Sequence, residues 1–517
     1  MNSVRNGVLV RILIMTLFVA LSAVGLAFSV YLFTVSVDIY TAAIAISFAT
    51  LSIISGFFNV VSSYFYYRSY FYDAYLAKIN EKLRPLGKLP TVAVVIPTYN
   101  EEPAMVAKNL ASLKKLDYDA RKLKYYVLDD STKPKICAAI ERLCEDAGAI
   151  YIHRDERKGF KAGALNNMLR QSNEEFLALF DADEYLTDST FLRDLLPYFG
   201  DRKVAFVQSE KKYAKGTFFS DCVDLFDALF FKFIQPSRAL SGTAIFAGSC
   251  GIIRRSAVDK IGGFPEYIIE DTFFSFESDL HSFTSIYVPK VYALGKPLFT
   301  FTELMRQQWR YNYGDTQFLM HFFNASRHGT RRKLSPLSKV DYLTHGFGLN
   351  YISVVLILFT VVSVFIVFFS APFAISSLQS MLDLNYPMFS IEVLGMMAFT
   401  LSLCIPIMLT KIYFNSVSKG VMIFALNFAL AFVRLRAAMA ALLDANPAVS
   451  WIKGDGAKLR AKLASSLRNS AMEVAFSTLL FAASAVAAFA YNISGAVWLM
   501  WYAVLYSSTF FFFFKYG

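Results

Sequence analysis

The chain has 517 residues, 56% of them hydrophobic and 16% aromatic, with a formal net charge of +11 and a mean hydropathy of +0.43. That composition excludes an ordinary water-soluble enzyme and puts much of the chain in lipid. The five cysteines, Cys137, Cys144, Cys222, Cys250 and Cys404, show no CxxC spacing, imply no zinc or disulfide framework and fit a reducing cytoplasm or membrane core.

Apolar runs long enough to cross a bilayer, which takes about 20 residues, occur at 8–34, 40–66, 346–370, 388–410, 471–492 and 495–514. These predict about six transmembrane helices. The first run is longer than a signal-peptide core and a second follows at once, so it reads as a retained anchor. Arg68, Lys78, Lys82 and Arg84 follow the second run, and Arg327, Arg331, Arg332 and Lys333 precede the third, while the loops assigned outside carry no Lys or Arg. By the positive-inside rule the segment between them is cytoplasmic, and a multi-pass protein of the plasma membrane is expected. Residues 420–443, "GVMIFALNFALAFVRLRAAMAALL", are apolar enough to span but would strand Arg434 and Arg436 outside, so they are read as an amphipathic helix in the inner interface, with a seventh crossing as the rival. The expected division is two spans in 1–66, a soluble domain in 67–299, amphipathic interface helices in 300–345, two spans in 346–410, an interfacial helix with a candidate gating loop in 411–470, and two spans in 471–517.

Within the soluble domain strands alternate with helices. "TVAVVIPTYNEEP" (91–103), "LKYYVLDDS" (123–131) and "FLALFDADE" (176–184) are apolar runs that stop on polar clusters. This is the pattern of buried parallel strands in an α/β sheet, where ligands bind beyond the carboxyl ends. Asn100, Asp129 and Asp181 are therefore expected in one cleft of nucleotide-pocket type. No GxxxxGK[ST] and no GxGxxG is present to cradle phosphate. A divalent cation on Asp181 and Asp183, Mg²⁺ or Mn²⁺, would serve instead, since such ions favour one or two carboxylates plus phosphate oxygens. Taken alone, Asp-Ala-Asp also fits a helix cap or a solvated turn.

The order of motifs carries further: Tyr99 and Glu101, Asp129, "KGFKAGALNN" (158–167), Asp181 and Asp183, "IIEDTFF" (268–274) and "QQWRYNYG" (307–314). In this the sequence resembles the membrane-embedded glycosyltransferases of family 2, the group of the cellulose, chitin, mannan and hyaluronan synthases. The resemblance is close over 90–325 and implies a GT-A α/β domain inserted between transmembrane helices. It implies that Thr98, Tyr99, Glu101 and Asp129 hold the nucleoside, with the tyrosine ring against the base. Lys161 is implied near the diphosphate, Asp181 and Asp183 on the metal, and Gln307 and Arg310 on the donor. The Glu270–Asp271 pair is implied as catalytic, with Asp271 the general base. The "FAGSCGIIRR" stretch resembles the family's glycine-rich segment, which makes Gly248, Ser249 and Cys250 acceptor-binding candidates, with a tight strand-to-helix turn as the other reading. Tyr311 stands where the family has Trp and is a candidate platform for the acceptor sugar. Trp309 is expected at the membrane interface, and Trp451 and Lys453 are candidates for a gate.

The expected function is an inverting transfer of sugar from a UDP- or GDP-sugar to a growing β-linked polysaccharide that is passed across the membrane. One alternative is a single transfer to a lipid acceptor such as polyprenyl phosphate or diacylglycerol. Another is a transporter with a decayed enzyme domain, which the retention of Asp129, Asp181, Asp183, Asp271 and Arg310 disfavours. The positive charge is assigned to anionic lipid at the inner face rather than to nucleic acid.

Overall fold

The computed structural model describes residues 63–83, 88–327, 334–369, 405–444, 459–490 and 493–517, together with scattered single residues before 63. Its centre is an eight-stranded mixed sheet in the order β3-β2-β1-β4-β7-β6-β8-β5. The strands are β1 (Val92–Thr98), β2 (Leu123–Asp129), β3 (Ile150–His153), β4 (Phe176–Leu179), β5 (Tyr185–Leu186), β6 (Val204–Tyr213), β7 (Gly251–Arg254) and β8 (Thr284–Gly295). β1 runs parallel to β2 and β4, and β7 lies antiparallel between β4 and β6.

Strand periodicity divides the core. Val92, Val94 and Ile96 of β1 enter one hydrophobic cluster while Ala93 and Val95 enter the other, because successive strand side chains point to opposite faces. With both faces covered, the strand reads as a continuous apolar run in the sequence. On the first face pack α1 (Pro103–Leu113) and α2 (Pro134–Ala147), each opened by a proline at its first turn. On the second pack α3 (Phe160–Leu169) and, through Phe274, α4 (Glu270–Leu280).

The chain then enters α5 (Phe301–Arg327) and α6 (Pro336–Phe369). Phe273 and Phe276 of α4, Phe318 and Phe322 of α5 and Tyr342 of α6 share one cluster. Trp309, expected at the membrane interface, is instead buried with Phe301, Leu430 and Val433. The amphipathic pattern of α5 was legible, but the helices that cover its apolar side come from more than 100 residues downstream.

Residues 420–443 also differ from expectation. They form two helices, α7 (Val417–Ala429) and α8 (Ala431–Leu442), bent by 43° in the geometry of a broken span or re-entrant loop. Arg434, taken as a marker of the water side, is fully buried; its Nε donates to Gln308 Oε1 (2.9 Å) and its Nη1 to Asn427 Oδ1 (3.0 Å).

Among the described residues two helices are long and apolar enough to cross a membrane, three if the bent pair counts as one, rather than about six. They belong to α9 (Ala471–Phe489) and α10 (Ile493–Tyr516). In α6 an apolar stretch is described over Ser353–Phe365, and the side chains at 349–352 and 366 that flank it lie outside the described residues, so the expected span 346–370 is described only in part. The expected spans 8–34, 40–66 and 388–410 lie mostly outside the described residues, as do Trp451 and Lys453.

Candidate active site

The carboxyl ends of β1 and β2 come first. Thr98 and Asp129 face each other in register. Asp129 is fully buried, accepting Ser131 N–H (3.0 Å) on Oδ1 and the Tyr151 hydroxyl (2.8 Å) on Oδ2. The Thr98 hydroxyl is buried without a partner, a cost of about 1–3 kcal/mol that a bound ligand can relieve. Beyond it the backbone turns through Asn100 at φ 56°, fixed by Asn100 N–H donating to Ser131 Oγ (2.7 Å). This turn leaves the Tyr99 ring 41% exposed, with the Arg157 guanidinium 3.7 Å from its centroid. Burial, with Asp181 and Glu102 nearby, pushes the Glu101 carboxyl up against the pull of Lys296.

β4 delivers Asp181 to the centre. Lys161, on the first turn of α3, donates to Asp181 Oδ1 (2.6 Å) and to the Gly248 carbonyl (2.9 Å). Lys211, near the end of β6, reaches Asp181 Oδ2 and the Ala247 carbonyl, both at 3.3 Å. Burial opposes the charge of Asp181, yet these two lysines hold its carboxyl well below the usual range. Glu184 is buried; it accepts the Ser249 hydroxyl (2.6 Å) and Asp181 N–H (2.8 Å). Asp183 has no ion-pair partner among the described residues; burial, then Asp181 and Glu184, push it up to about 7.

Glu270 and Asp271 open α4, where the helix dipole favours negative charge. Burial and then Asp271 push Glu270 up to about 7, against Lys161 and Arg310. Burial also raises Asp271, while Thr272 N–H (2.8 Å), Lys161, Arg310 and Lys211 favour its ionised form. Burial thus holds both carboxyls above the ordinary carboxylate range, and Asp271 alone of the two receives the Thr272 N–H. Gly248, at φ 80°, lies so close that a Cβ there would meet Asp271 Oδ2 at 3.0 Å and Lys161 Nζ at 3.7 Å. α5 docks behind: a Cβ on Gly314 would sit 2.6 Å from Cγ2 of Ile269, the residue before Glu270.

The structure therefore brings Lys161, Asp181, Gly248, Glu270 and Asp271 into direct neighbourhood, with Arg310 near enough for its charge to act on both α4 carboxyls. Ser249 is turned onto Glu184. Cys250 is buried at φ 51°, its N–H on Leu179 O and its carbonyl accepting Ser209, so its contacts are those of a tight turn. Gln307 is half-buried on α5, and its neighbour Gln308 holds Arg434. Burial and then Asp227 raise the Tyr311 hydroxyl, and the Arg310 guanidinium lies 5.6 Å from its ring. Sequence reasoning assigned no role to Glu184 and missed Lys211, Gln208 and Arg157. The one available signal was Gln208, a polar residue inside an apolar strand; it donates to the Ser249 carbonyl and accepts Ala247 N–H.

Two groups of side chains offer a seat for a divalent cation. Asp129, Cys137 and His153 bring ligand atoms within 4.8 Å of one another. However, Asp129 is already engaged by Tyr151 and Ser131, and burial and then Asp129 raise the Cys137 thiol, which donates to Ser131 O. A protonated thiol is a poor ligand for a hard cation. Asp181 and Asp183 fit better, as two hard oxygen donors of which Asp183 is buried beside Asp181 and Glu184 with no ion-pair partner among the described residues.

These features define a GT-A-like α/β domain with a curled mixed sheet and an acidic site at its strand ends. Residues 93–262 match the family model described as Glycosyl transferase family 2, and the chain carries a glycosyltransferase domain of that family. It is 32% identical over 236 residues to the cellulose synthase catalytic subunit [UDP-forming] of Pseudomonas fluorescens, covering 44% of this chain and 31% of that one. It is 30% identical over 213 residues to cellulose synthase 2 of Novacetimonas hansenii, covering 40% and 13%. The match thus spans less than a third of either relative. Among solved structures, the mannosyltransferase PcManGT from Pyrobaculum calidifontis in complex with GDP-Man and Mn²⁺ aligns with TM-score 0.49 at 19% identity, over 77% of this chain and all of that one.

Proposed function

We infer that this chain transfers a sugar, with inversion, from a nucleotide diphosphate sugar to the end of a growing β-linked polysaccharide at the inner face of a membrane, and passes the product outward. The observation that carries this reading is the setting of Gly248, whose carbonyl accepts Lys161 Nζ at 2.9 Å and whose missing side chain leaves room that a Cβ would fill at 3.0 Å from Asp271 Oδ2. A general base and a diphosphate-binding lysine are thereby one residue apart in space. Nucleoside binding falls to Thr98, Tyr99, Glu101 and Asp129, and the similarity to cellulose synthases favours UDP and a polysaccharide acceptor.

In the transfer, the acceptor hydroxyl attacks the anomeric carbon as its proton passes to Asp271, and the bond from that carbon to the diphosphate oxygen breaks. General base assistance of this kind is typically worth about 10²- to 10⁴-fold. The leaving diphosphate gains charge that Lys161 and Arg310 stabilise. A Mg²⁺ or Mn²⁺ bound by Asp181 and Asp183 would add further positive charge there. Of the acceptor-binding candidates, Gly248 and Tyr311 are those whose side of the site is not taken up by an internal contact of the kind that holds Ser249 on Glu184.

The test is to purify the full chain in nanodiscs and supply Mg²⁺ or Mn²⁺ with a panel of UDP- and GDP-sugars. Nucleotide release and product size are then measured together. One donor yielding a long polymer supports the reading, a single labelled lipid replaces the acceptor, and no metal-dependent turnover with any donor rejects it.

A further inference from the structure

Each oxygen of Asp181 is held by a different lysine, and each lysine also binds one of two consecutive carbonyls. Lys161 joins Oδ1 to Gly248 O, and Lys211 joins Oδ2 to Ala247 O. Lys211 further lies 3.4 Å from Glu184 Oε1, the oxygen that accepts the Ser249 hydroxyl. The two loops are thus clamped at two parallel points, with Gln208 closing the back through Ala247 N–H and Ser249 O.

The two halves of this clamp meet different demands. In the reading above, Lys161 turns toward the donor's diphosphate, which loosens its hold on Asp181 and on Gly248 O. Lys211 is then the one cation left in an ion pair with Asp181 among the described residues. Without the Lys211 ammonium, the Ala247 carbonyl and the Asp181 and Glu184 carboxylates that share it would repel one another and splay. Lys211 reaches this spot because the β6–β8 register shifts between Ser209 and Glu210 and again between Glu210 and Lys212. Such irregularities re-aim a strand side chain next to a site.

The geometry assigns Lys211 as a positioning residue that keeps the Asp181 carboxylate oriented for the divalent cation and the 247–249 loop seated against Asp271 while Lys161 serves the diphosphate. This rests on the proposed function. Its consequence is that Lys211 governs the cation in the nucleotide complex rather than the nucleotide itself.

The test uses the full chain in nanodiscs, wild type against Lys211→Met and Lys211→Arg. Free Mn²⁺ is followed by electron paramagnetic resonance as it binds in the presence of UDP or GDP. Nucleotide binding without metal, melting temperature, kcat and KM are measured alongside. Removing the partner that orients a metal ligand typically costs about 10- to 100-fold in metal affinity or activity. Lys211→Met is expected to lose that much Mn²⁺ affinity and kcat, with metal-free nucleotide binding unchanged, and Lys211→Arg to recover most of both. Mn²⁺ affinity and kcat within twofold of wild type in Lys211→Met would overturn the assignment. A fall in melting temperature matched by an equal fall in metal-free nucleotide binding would reduce Lys211 to a structural role and overturn it as well. If wild type binds neither nucleotide nor Mn²⁺ under any condition, the proposed function fails and this role falls with it. That outcome is distinguishable because it precedes any mutation.

Discussion

At the scale of single residues, charge and close contact give the sharpest expectations. Asp271→Asn keeps the shape and the Thr272 contact but removes the proton acceptor, so kcat should fall about 10²- to 10⁴-fold while donor binding holds; full turnover in a folded, membrane-inserted variant would reject the base assignment. Gly248→Ala adds both a left-handed backbone penalty of about 1–2 kcal/mol and a methyl at 3.0 Å from Asp271 Oδ2. It should therefore lower kcat with little change in donor KM. Asp183 makes a pH prediction. Burial and the neighbouring Asp181 and Glu184 raise it to about 7, so without metal it is a protonated carboxyl below that pH. As a carboxyl whose folded value is raised, it contributes stability that is fully present below its ordinary value of 3.8 and is lost as the pH rises through about 7. Cation binding needs the ionised form, so Mn²⁺ uptake at pH 6–6.5 should release up to about one proton. Calorimetry in buffers of different ionisation enthalpy reads this number directly, and its absence would remove Asp183 from the metal site.

At the scale of elements, the site depends on how α5 seats against the start of α4. Replacing a helix-interior glycine by alanine ordinarily gains about 1 kcal/mol. At Gly314 the new methyl would lie 2.6 and 2.7 Å from two carbons of Ile269 and 3.0 Å from Ile268 Cγ2, and overpacking of this kind costs about 1–3 kcal/mol. The contact outweighs the propensity, so Gly314→Ala should lower the melting temperature and, by shifting Glu270 and Asp271, cut kcat by up to about 100-fold. A melting temperature that rises would show that the segment yields without cost. The first half of the sheet was legible because β1, β2 and β4 are apolar runs ended by polar residues, and their parallel register alone brings Thr98 beside Asp129. Lys211 was not legible, because strand alternation fails where the β6–β8 register shifts, and no local pattern announces that shift. The burial of Arg434 by Gln308 and Asn427 was hidden for a related reason: one partner is 126 positions away.

At the scale of the whole molecule, hydropathy counts apolar residues but not what covers them, so it reads α9 and α10 well and the bent α7–α8 pair poorly. α9 and α10 form an antiparallel hairpin: Ser477 Oγ donates to Ala503 O and Ser484 Oγ to Ala496 O, both at 2.7 Å. Such bonds let helices pack closely in lipid. The far end of α10 returns to the α/β domain, where Tyr516 stacks on Phe219 with centroids 4.7 Å apart and Phe513 meets Phe301 edge-on at 4.9 Å. The start of α9 and the end of α10 therefore lie on the side of the candidate active site. The 19 residues of α9 rise about 28 Å, close to the roughly 30 Å of a bilayer core, which puts Ala490 on the opposite side. With the α/β domain in the cytoplasm, as the basic flanks imply, a membrane-impermeant maleimide applied to intact cells should label Ala490→Cys above the background of the parent chain. Arg468→Cys, exposed before the start of α9, should react only after permeabilisation. The reverse pattern would put the active site outside, away from cytoplasmic nucleotide sugars, and would overturn the proposed direction of transport. Labelling of both sites from one side would show that the hairpin does not cross.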